Sequence, residues 1–403
     1  MTVHITAPTS PEADTNEVSL VGPTVGVAPA AVTTVIAHGG NLRRAIAQYG
    51  GQAGEWMDLS TGINPHAYPA PPIAPDAWHR LPEPDTGLID AACAYYGAPM
   101  LLPVAGTQAA IQALPRLRTH SRVAVVSPTY AEHALRWREA GHAVTEFEPA
   151  DVDVHVDHCD VLVVCNPNNP TGNRVAPDLL LAWADKLAAR GGWLVVDEAF
   201  GDMEPALSVA AHCQQPGLIV LRSLGKFFGL AGLRLGFVGA EPKLLERLSA
   251  LLGPWSISGP AQQVGCAALA DRAWQQTMRL RLATDGARLR ALLARHVAVT
   301  SASIEGISDC STLVANAFDS DMPVSSTSGV NASATNTPAT YGTDLFQWWP
   351  AAAPTALHEH LARQRIWVRL FPDAARGLRV GLPAAESDWA RLDLALAGFQ
   401  NRA

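Results

Sequence analysis

Ser223-Leu224-Gly225-Lys226 follows a short apolar run, and Gly229, Gly232, Arg234 and Gly236 come next in a segment with few other polar groups. A lysine set among small and apolar residues, with an arginine eight residues on, has its charged form disfavoured by desolvation and by like charge. The free amine that results attacks aldehydes, the usual route to a Schiff base. Ser223 and Arg234 are both suited to hold a phosphate, one through its hydroxyl and the other by a bidentate charge-assisted contact. Taken alone, the segment also fits a surface lysine after a strand.

Three further stretches bear on this lysine. Asp197 closes the apolar run Trp193-Leu194-Val195-Val196, which puts a carboxylate at the carboxyl end of a buried strand, where open α/β sheets bind ligands. There it can keep a ring nitrogen protonated and so make a bound heterocycle an electron sink; a helix N-cap, or a metal ligand beside Glu198, is the other reading. Asn166-Pro167-Asn168-Asn169-Pro170-Thr171-Gly172 also follows an apolar run, and reads as a fixed turn offering neutral donors or as a plain β-turn. Gly106-Thr107-Gln108 precedes a helical run, so its N–H groups can hold a phosphate at a helix N-terminus.

The elements that must position these residues are those of an α/β chain. At 403 residues the chain exceeds one core, and 48% hydrophobic with 16% charged residues fits a compact enzyme. From about residue 100, short apolar runs alternate with helical patterns, the order that builds a mostly parallel sheet. The runs are Val123 to Val126, Val161 to Cys165, Trp193 to Val196, Leu218 to Leu221 and Leu235 to Val238. They lack in/out alternation, as strands buried on both faces should. Between two of them, Asp178 to Arg190 is a predicted helix stopped at Gly191 and Gly192. The organisation expected is a flexible tail over 1–35, an N-terminal arm and part of a small domain over 36–80, a large domain over 81–270 and a small α+β domain over 271–403. Within the last, the Ser/Thr-rich stretch 320–343 reads as a flexible insertion.

A net charge of −8 with no basic patch argues against a nucleic-acid or anionic-membrane partner. No apolar stretch is long enough to span a bilayer, and the first 35 residues lack a signal-peptide pattern. Six scattered cysteines without a C-x-x-C pair suit reduced thiols in the cytoplasm.

In the order G-T-Q, N-P-N-N-P-T-G, D-E-A-F and S-x-G-K-x-x-x-x-x-G-x-R, these motifs resemble the fold-type-I pyridoxal-phosphate (PLP) enzymes of aminotransferase class I/II, over roughly residues 36 to 400. The resemblance implies a large domain with a mostly parallel central sheet, a smaller α+β domain, a homodimer, and PLP bound as a Schiff base on Lys226. It implies further that Asp197 pairs with the pyridine nitrogen, that Asn169 faces the phenolic oxygen, and that Tyr130 stacks on the ring. Gly106, Thr107, Gln108, Ser223 and Arg234 would complete the cofactor site.

Two regions narrow the resemblance to the threonine-phosphate decarboxylases of cobalamin biosynthesis. They are His38-Gly39-Gly40-Asn41 with Asp58-Leu59-Ser60-Thr61-Gly62-Ile63-Asn64-Pro65, and the C-terminal Val368-Arg369-Leu370-Phe371, Leu378-Arg379-Val380-Gly381-Leu382-Pro383 and Glu386-x-x-Trp389-x-Arg391-Leu392. The implied substrate is a phosphorylated amino acid. Arg379 is expected to hold its carboxylate, and His38, Gly39 and Arg369 its phosphate, with Asn64 and Asn169 also in contact. Phe200 stands three residues after Asp197 where many relatives carry tyrosine, and this favours decarboxylation over the alternative, a histidinol-phosphate-type aminotransferase. Without the resemblance, Arg369 and Arg379, on an apparent strand–turn–strand of Ile366 to Leu370 and Leu378 to Leu382, and His38 also fit ordinary surface residues, and Asn64 a turn cap.

Rivals outside this class are weaker. His358-Glu359-His360 puts two histidines about 200° apart on a helix, unlike the one-faced H-E-x-x-H metal site, so no metal is expected. Neither G-x-G-x-x-G nor G-x-x-x-x-G-K-[ST] is present, against a nucleotide enzyme. A non-catalytic relative would normally have lost the lysine.

Overall fold

The computed structural model describes residues 38–301, 341–351, 353–372 and 375–400. The seven strands of its main sheet are β1 (Leu102–Val104), β2 (Arg122–Val126), β3 (Ala143–Phe147), β4 (Val161–Cys165), β5 (Trp193–Asp197), β6 (Leu218–Ser223) and β7 (Gly236–Gly239). Their order is β1-β7-β6-β5-β4-β2-β3. Strands β2 to β6 run parallel, β7 is antiparallel to β6, and β1 is antiparallel to β7. Every residue of β4, β5, β6 and β7 is buried, which is why those runs show no polar alternation.

Alternation persists underneath the uniform burial. Leu162, Val164, Leu194, Val196, Leu218 and Val220 enter one hydrophobic core, while Val161, Val163, Trp193, Val195, Ile219 and Leu221 enter another. Successive side chains point to opposite faces of a strand, so each strand feeds a core on either side of the sheet. The helix expected over Asp178 to Arg190 forms as Pro177–Ala188, and Gly191 takes φ +71° beyond its end.

A second sheet comprises β8 (Tyr341–Thr343), β9 (Phe346–Pro350), β10 (Arg369–Phe371) and β11 (Gly377–Gly381), antiparallel in the order β10-β11-β9-β8. Helices Pro354–Arg363 and Glu386–Gln400 and the long helix Arg272–Ser301 pack with it and with one another. Met57–Asp58 pairs in parallel with Ile366–Trp367, which ties the residues after 57 to this smaller unit.

Two expectations are amended. Residues 1–35 and 320–340 lie outside the described residues, but Tyr341–Thr343, expected inside the Ser/Thr-rich insertion, form strand β8 on the edge of the second sheet. The run Ile366 to Leu370 is not one strand: it breaks at Val368 and serves two different partners. His358 lies edge-on to Trp367 and His360 bonds the Ala395 carbonyl at 2.8 Å, so the two histidines are held apart. Among the described residues, no helix is long and apolar enough to cross a membrane, and all five cysteines are free.

Candidate active site

Strands β4, β5 and β6 end on one edge of the main sheet, with Cys165, Asp197 and Ser223 as their last residues. Beyond those ends is a pocket lined by Gly106, Thr107, Gln108, Tyr130, Asn169, Asp197, Ser223, Lys226 and Arg234, all nine residues expected at a cofactor. Cys165, Pro167, Ala199, Phe200, Gly225, Ala231 and Leu235 complete the wall.

The lysine loop is fixed from below. Phe227 and Phe228 are fully buried and pack on Trp274. Asn64 N–H donates to the Lys226 carbonyl at 3.1 Å, and its Nδ2 donates to the Phe227 carbonyl at 2.8 Å. Gly229, at φ +68°, passes so close to Ala67 that a Cβ would lie 2.7 Å from its Cα. The Lys226 amine sits 5.2 Å from the centre of the Phe200 ring and 3.5 Å from the Thr61 carbonyl. Burial, then the nearby Arg379 and Arg234, push its pKa down to about 8 against the pull of Asp197. A substantial fraction of the amine is therefore neutral near pH 7.5.

Asp197 is buried and accepts from the Ala199 N–H at 3.0 Å and pairs with His133 Nε2 at 2.9 Å. Burial opposes a charge on His133, but its hydrogen bonds to Asp197 and Cys165 outweigh that and raise it to about 10. His133 is thus an imidazolium hydrogen-bonded behind the carboxylate. His133, Cys165 and Asp197 offer three donor atoms within 4.8 Å of one another, a set that can be read as a cation site. Ligands of one tetrahedral zinc stand roughly 3.3 Å apart, so the 2.9 Å contact fits a shared proton better.

At the other end, Gly106 (φ +74°) caps helix Thr107–Ala113, and a Cβ there would lie 2.6 Å from Arg234 Nη2. Only glycine allows the guanidinium to lie over that turn. Arg234 itself holds φ +56°, a left-handed conformation uncommon for residues other than glycine. The Tyr130 hydroxyl donates to Gln108 Oε1 at 3.0 Å, and burial beside Glu132 and Asp197 pushes it up to about 12. The pocket therefore offers a cation and helical N–H groups at one end, a buried carboxylate at the other, an aromatic ring and a lysine amine. Those groups fit a flat aromatic aldehyde with a phosphate arm.

Apart from Asn169, the expected substrate residues lie beside this pocket rather than in its wall. Arg379 is buried on β11; it donates from Nη1 to Asn169 Oδ1 and from Nη2 to the Ser60 carbonyl, while its buried Nε has no partner among the described residues. Arg369 stands opposite it in the β10–β11 register. Burial disfavours the charge on both guanidiniums, and on Arg379 the proximity of Arg369 adds to it. An anion between them would relieve both effects. Gly39 crosses here too, since a Cβ would lie 2.4 Å from the Ser60 carbonyl and 3.5 Å from Arg379 Nη2. His38 lies 6.3 Å from the Tyr130 ring, centre to centre. Asn64 matches the turn-cap reading: its Oδ1 accepts from the His66 N–H at 2.8 Å and its Nδ2 donates to the Phe227 carbonyl, so its amide ties down the lysine loop.

Sequence reasoning missed His133, Glu132, Ser60 and Phe346. Ser60 Oγ accepts from the Gly40 N–H at 2.7 Å and donates to Asp58 Oδ1 at 2.6 Å, fixing the His38 loop. Phe346, fully buried on β9, meets Phe200 edge-on at 5.0 Å and carries the Arg379 guanidinium 5.3 Å above its ring.

A family model, aminotransferase class I and II, matches residues 57–315. The chain belongs to this family. Within it, the chain is similar to a threonine-phosphate decarboxylase of Pseudomonas aeruginosa, at 48% identity over 92% of this chain and 99% of that protein. The family fold is also that of the L-threonine-O-3-phosphate decarboxylase from Porphyromonas gingivalis, with a TM-score of 0.64, 16% identity, and coverage of 85% of this chain and 99% of that one. A histidinol-phosphate aminotransferase from Sinorhizobium meliloti, solved in complex with pyridoxal-5'-phosphate, has a TM-score of 0.67 at 15% identity, covering 94% of this chain and 99% of its own. The fold therefore does not separate the two reactions within the family, whereas sequence identity favours the first.

Proposed function

We propose that this chain decarboxylates L-threonine O-3-phosphate to (R)-1-aminopropan-2-ol O-phosphate and CO2, using pyridoxal 5'-phosphate carried by Lys226, as a step of cobalamin biosynthesis. The observation that carries this reading is one pocket lined by both Lys226 and Asp197, with the buried, incompletely satisfied Arg379 at its side. The 48% identity to a decarboxylase over nearly the whole chain selects the reaction.

In this reading Thr107, Gln108, Ser223 and Arg234 hold the cofactor phosphate, Tyr130 covers the ring, Asn169 faces its phenolic oxygen and Asp197 faces its nitrogen. Held there, the cofactor would supply an electron sink for whichever Cα bond is aligned to break. The protein's task is to choose that bond. Arg379 holds the substrate carboxylate, and His38, Gly39 and Arg369 take the phosphate, so two anchors fix the rotation about the N–Cα bond. Binding energy from the remote phosphate is thereby used to orient the carboxylate. Once CO2 has left, Lys226 returns a proton to Cα. Phe200 gives no hydroxyl to the phenolic side, and its ring, backed by Phe346, keeps that wall dry.

The functional unit is read as a homodimer. Trp78, Leu81 and Trp255 are exposed, and Trp78 and Leu81 lie in and just beyond helix Asp76–His79, which packs against the start of helix Gly259–Ala270; such apolar side chains are ones a second copy would cover. Free cysteines support a reducing, cytoplasmic setting.

Incubating the purified protein with L-threonine O-3-phosphate and no keto acid is expected to release CO2. The companion assay is histidinol phosphate with 2-oxoglutarate. Turnover in the companion assay alone would overturn the decarboxylase reading in favour of an aminotransferase.

A further inference from the structure

Glu132 opens helix Glu132–Glu139, two residues after Tyr130, and is 3% exposed. Burying a carboxylate costs several kcal/mol unless it is paired. Here Oε2 accepts from Gln108 Nε2 at 2.5 Å and from Arg136 Nε at 2.7 Å, while Oε1 faces His38 Nε2 at 3.1 Å. Gln108 in turn accepts from the Tyr130 hydroxyl. Burial raises the carboxyl pKa, but the bonds from Arg136 and Gln108 outweigh it and leave the group below its ordinary value, hence ionised. One carboxylate thus joins two residues of the cofactor pocket to the first residue of the His38-Gly39-Gly40 loop. The His38 side chain is 46% exposed, so little packing holds its ring. Its loop has one other tie nearby, from Gly40 to Ser60.

We propose that Glu132 is a positioning residue that holds the His38 imidazole in place for the phosphate of the substrate, and so sets the preference for a phosphorylated amino acid. The proposal rests on the reading of His38 as a phosphate contact. It predicts which half of the carboxylate matters. In Glu132→Gln the amide carbonyl can take the place of Oε2 and keep both Gln108 and Arg136, while an NH2 group replaces the acceptor facing His38.

The test uses the PLP-loaded enzyme. Glu132→Gln is expected to raise KM for L-threonine O-3-phosphate about tenfold, to weaken competitive inhibition by inorganic phosphate in parallel, and to leave kcat and the cofactor affinity read from visible absorbance within about twofold. His38→Ala should lose at least as much, and the double variant should be no worse than His38→Ala alone. A fall in kcat at unchanged KM, a loss of cofactor affinity, or additive losses in the double variant would overturn the proposal. If Glu132→Gln does not accumulate folded, Glu132→Asp, which keeps the charge but draws it back by one methylene, is expected to show the same KM-only signature, and an unchanged KM there counts against the idea. A wild-type enzyme inactive on L-threonine O-3-phosphate is a failure of the functional reading instead; the Glu132–His38 link is then judged by calorimetric titration with inorganic phosphate, where equal affinity of wild type and Glu132→Gln would sink it.

Discussion

The proposed cofactor pocket and the proposed substrate end beside it are built in opposite ways. The pocket takes its groups from the ends of adjacent parallel strands and the turns that follow them, so Asn169, Asp197, Ser223 and Lys226 appear in chain order as short contiguous motifs. The substrate end collects single residues from segments 38–40 and 58–64, from helix Glu132–Glu139 and from the second sheet, and the contacts that join those segments, such as His38–Glu132, Gly40–Ser60 and Ser60–Arg379, link residues far apart in sequence. Chemistry common to a whole family can rest on a rigid sheet edge, whereas the part that distinguishes one substrate from another is assembled across separate elements. A difference of this kind makes separable predictions for the two regions.

The largest effect belongs to the pocket. Lys226→Ala should reduce CO2 release by about 10²–10⁴-fold or more, and borohydride should fix cofactor mass on the wild type but not on the variant. Next comes the substrate end: Arg379→Ala removes a buried cation and strands Asn169, and should cost ~2–4 kcal/mol, roughly 30- to 900-fold in kcat/KM, with cofactor affinity little changed. Loss of cofactor affinity in that variant would blur the boundary drawn above. His133→Asn should weaken cofactor binding by ~1.5–3 kcal/mol, the range for hydrogen bonds to charged groups, seen as a higher dissociation constant in absorbance titrations.

A pH experiment isolates the amine. With the pKa of Lys226 at about 8, the rate at which apoprotein captures free cofactor should rise about tenfold between pH 7 and 9 and then level off. A rate still climbing toward pH 10.5 would show an ordinary lysine. Because the unfolded chain binds that proton more tightly, this group makes the apoprotein more stable as pH rises from about 8 to 10.5 and contributes no such gain above. The smallest effect is expected for Phe200→Tyr, where a hydroxyl placed at the pocket wall should change the ratio of decarboxylation to transamination by a factor of about two to five, followed by product analysis.

The same contrast decides how much could be read from the chain beforehand. The nine residues expected at a cofactor, eight of them read from motifs and Tyr130 through resemblance, line one pocket, and the buried strands β4 to β7 were legible because uninterrupted apolar runs are local signals. The edge strands β1 and β3 were not: β1 is three residues long with Pro103 in it, and β3 is mostly exposed and carries Thr145 and Glu146. His133 was missed because nothing near it in sequence says that its helix returns to a carboxylate 64 residues later. Arg369 and Arg379 were found only through resemblance; their pairing across β10 and β11 is a tertiary fact. Asn64 shows the converse, since a polar residue beside a motif reads equally as a ligand contact or a turn cap, and its amide is used by the backbone of the lysine loop.

The chain carries a formal charge of −8, yet Arg234 and Lys226 line one pocket and Arg379 and Arg369 stand beside it. A phosphate dianion approaching from afar meets a repelling body, and only within about one Debye length, roughly 8 Å at physiological salt, does the local potential change sign. Encounter is therefore governed by a short-range electrostatic funnel rather than by overall attraction. Added salt should leave capture of the dianion nearly constant at first, by weakening the outer repulsion as well as the inner pull, in contrast with the steep decline typical of a basic protein.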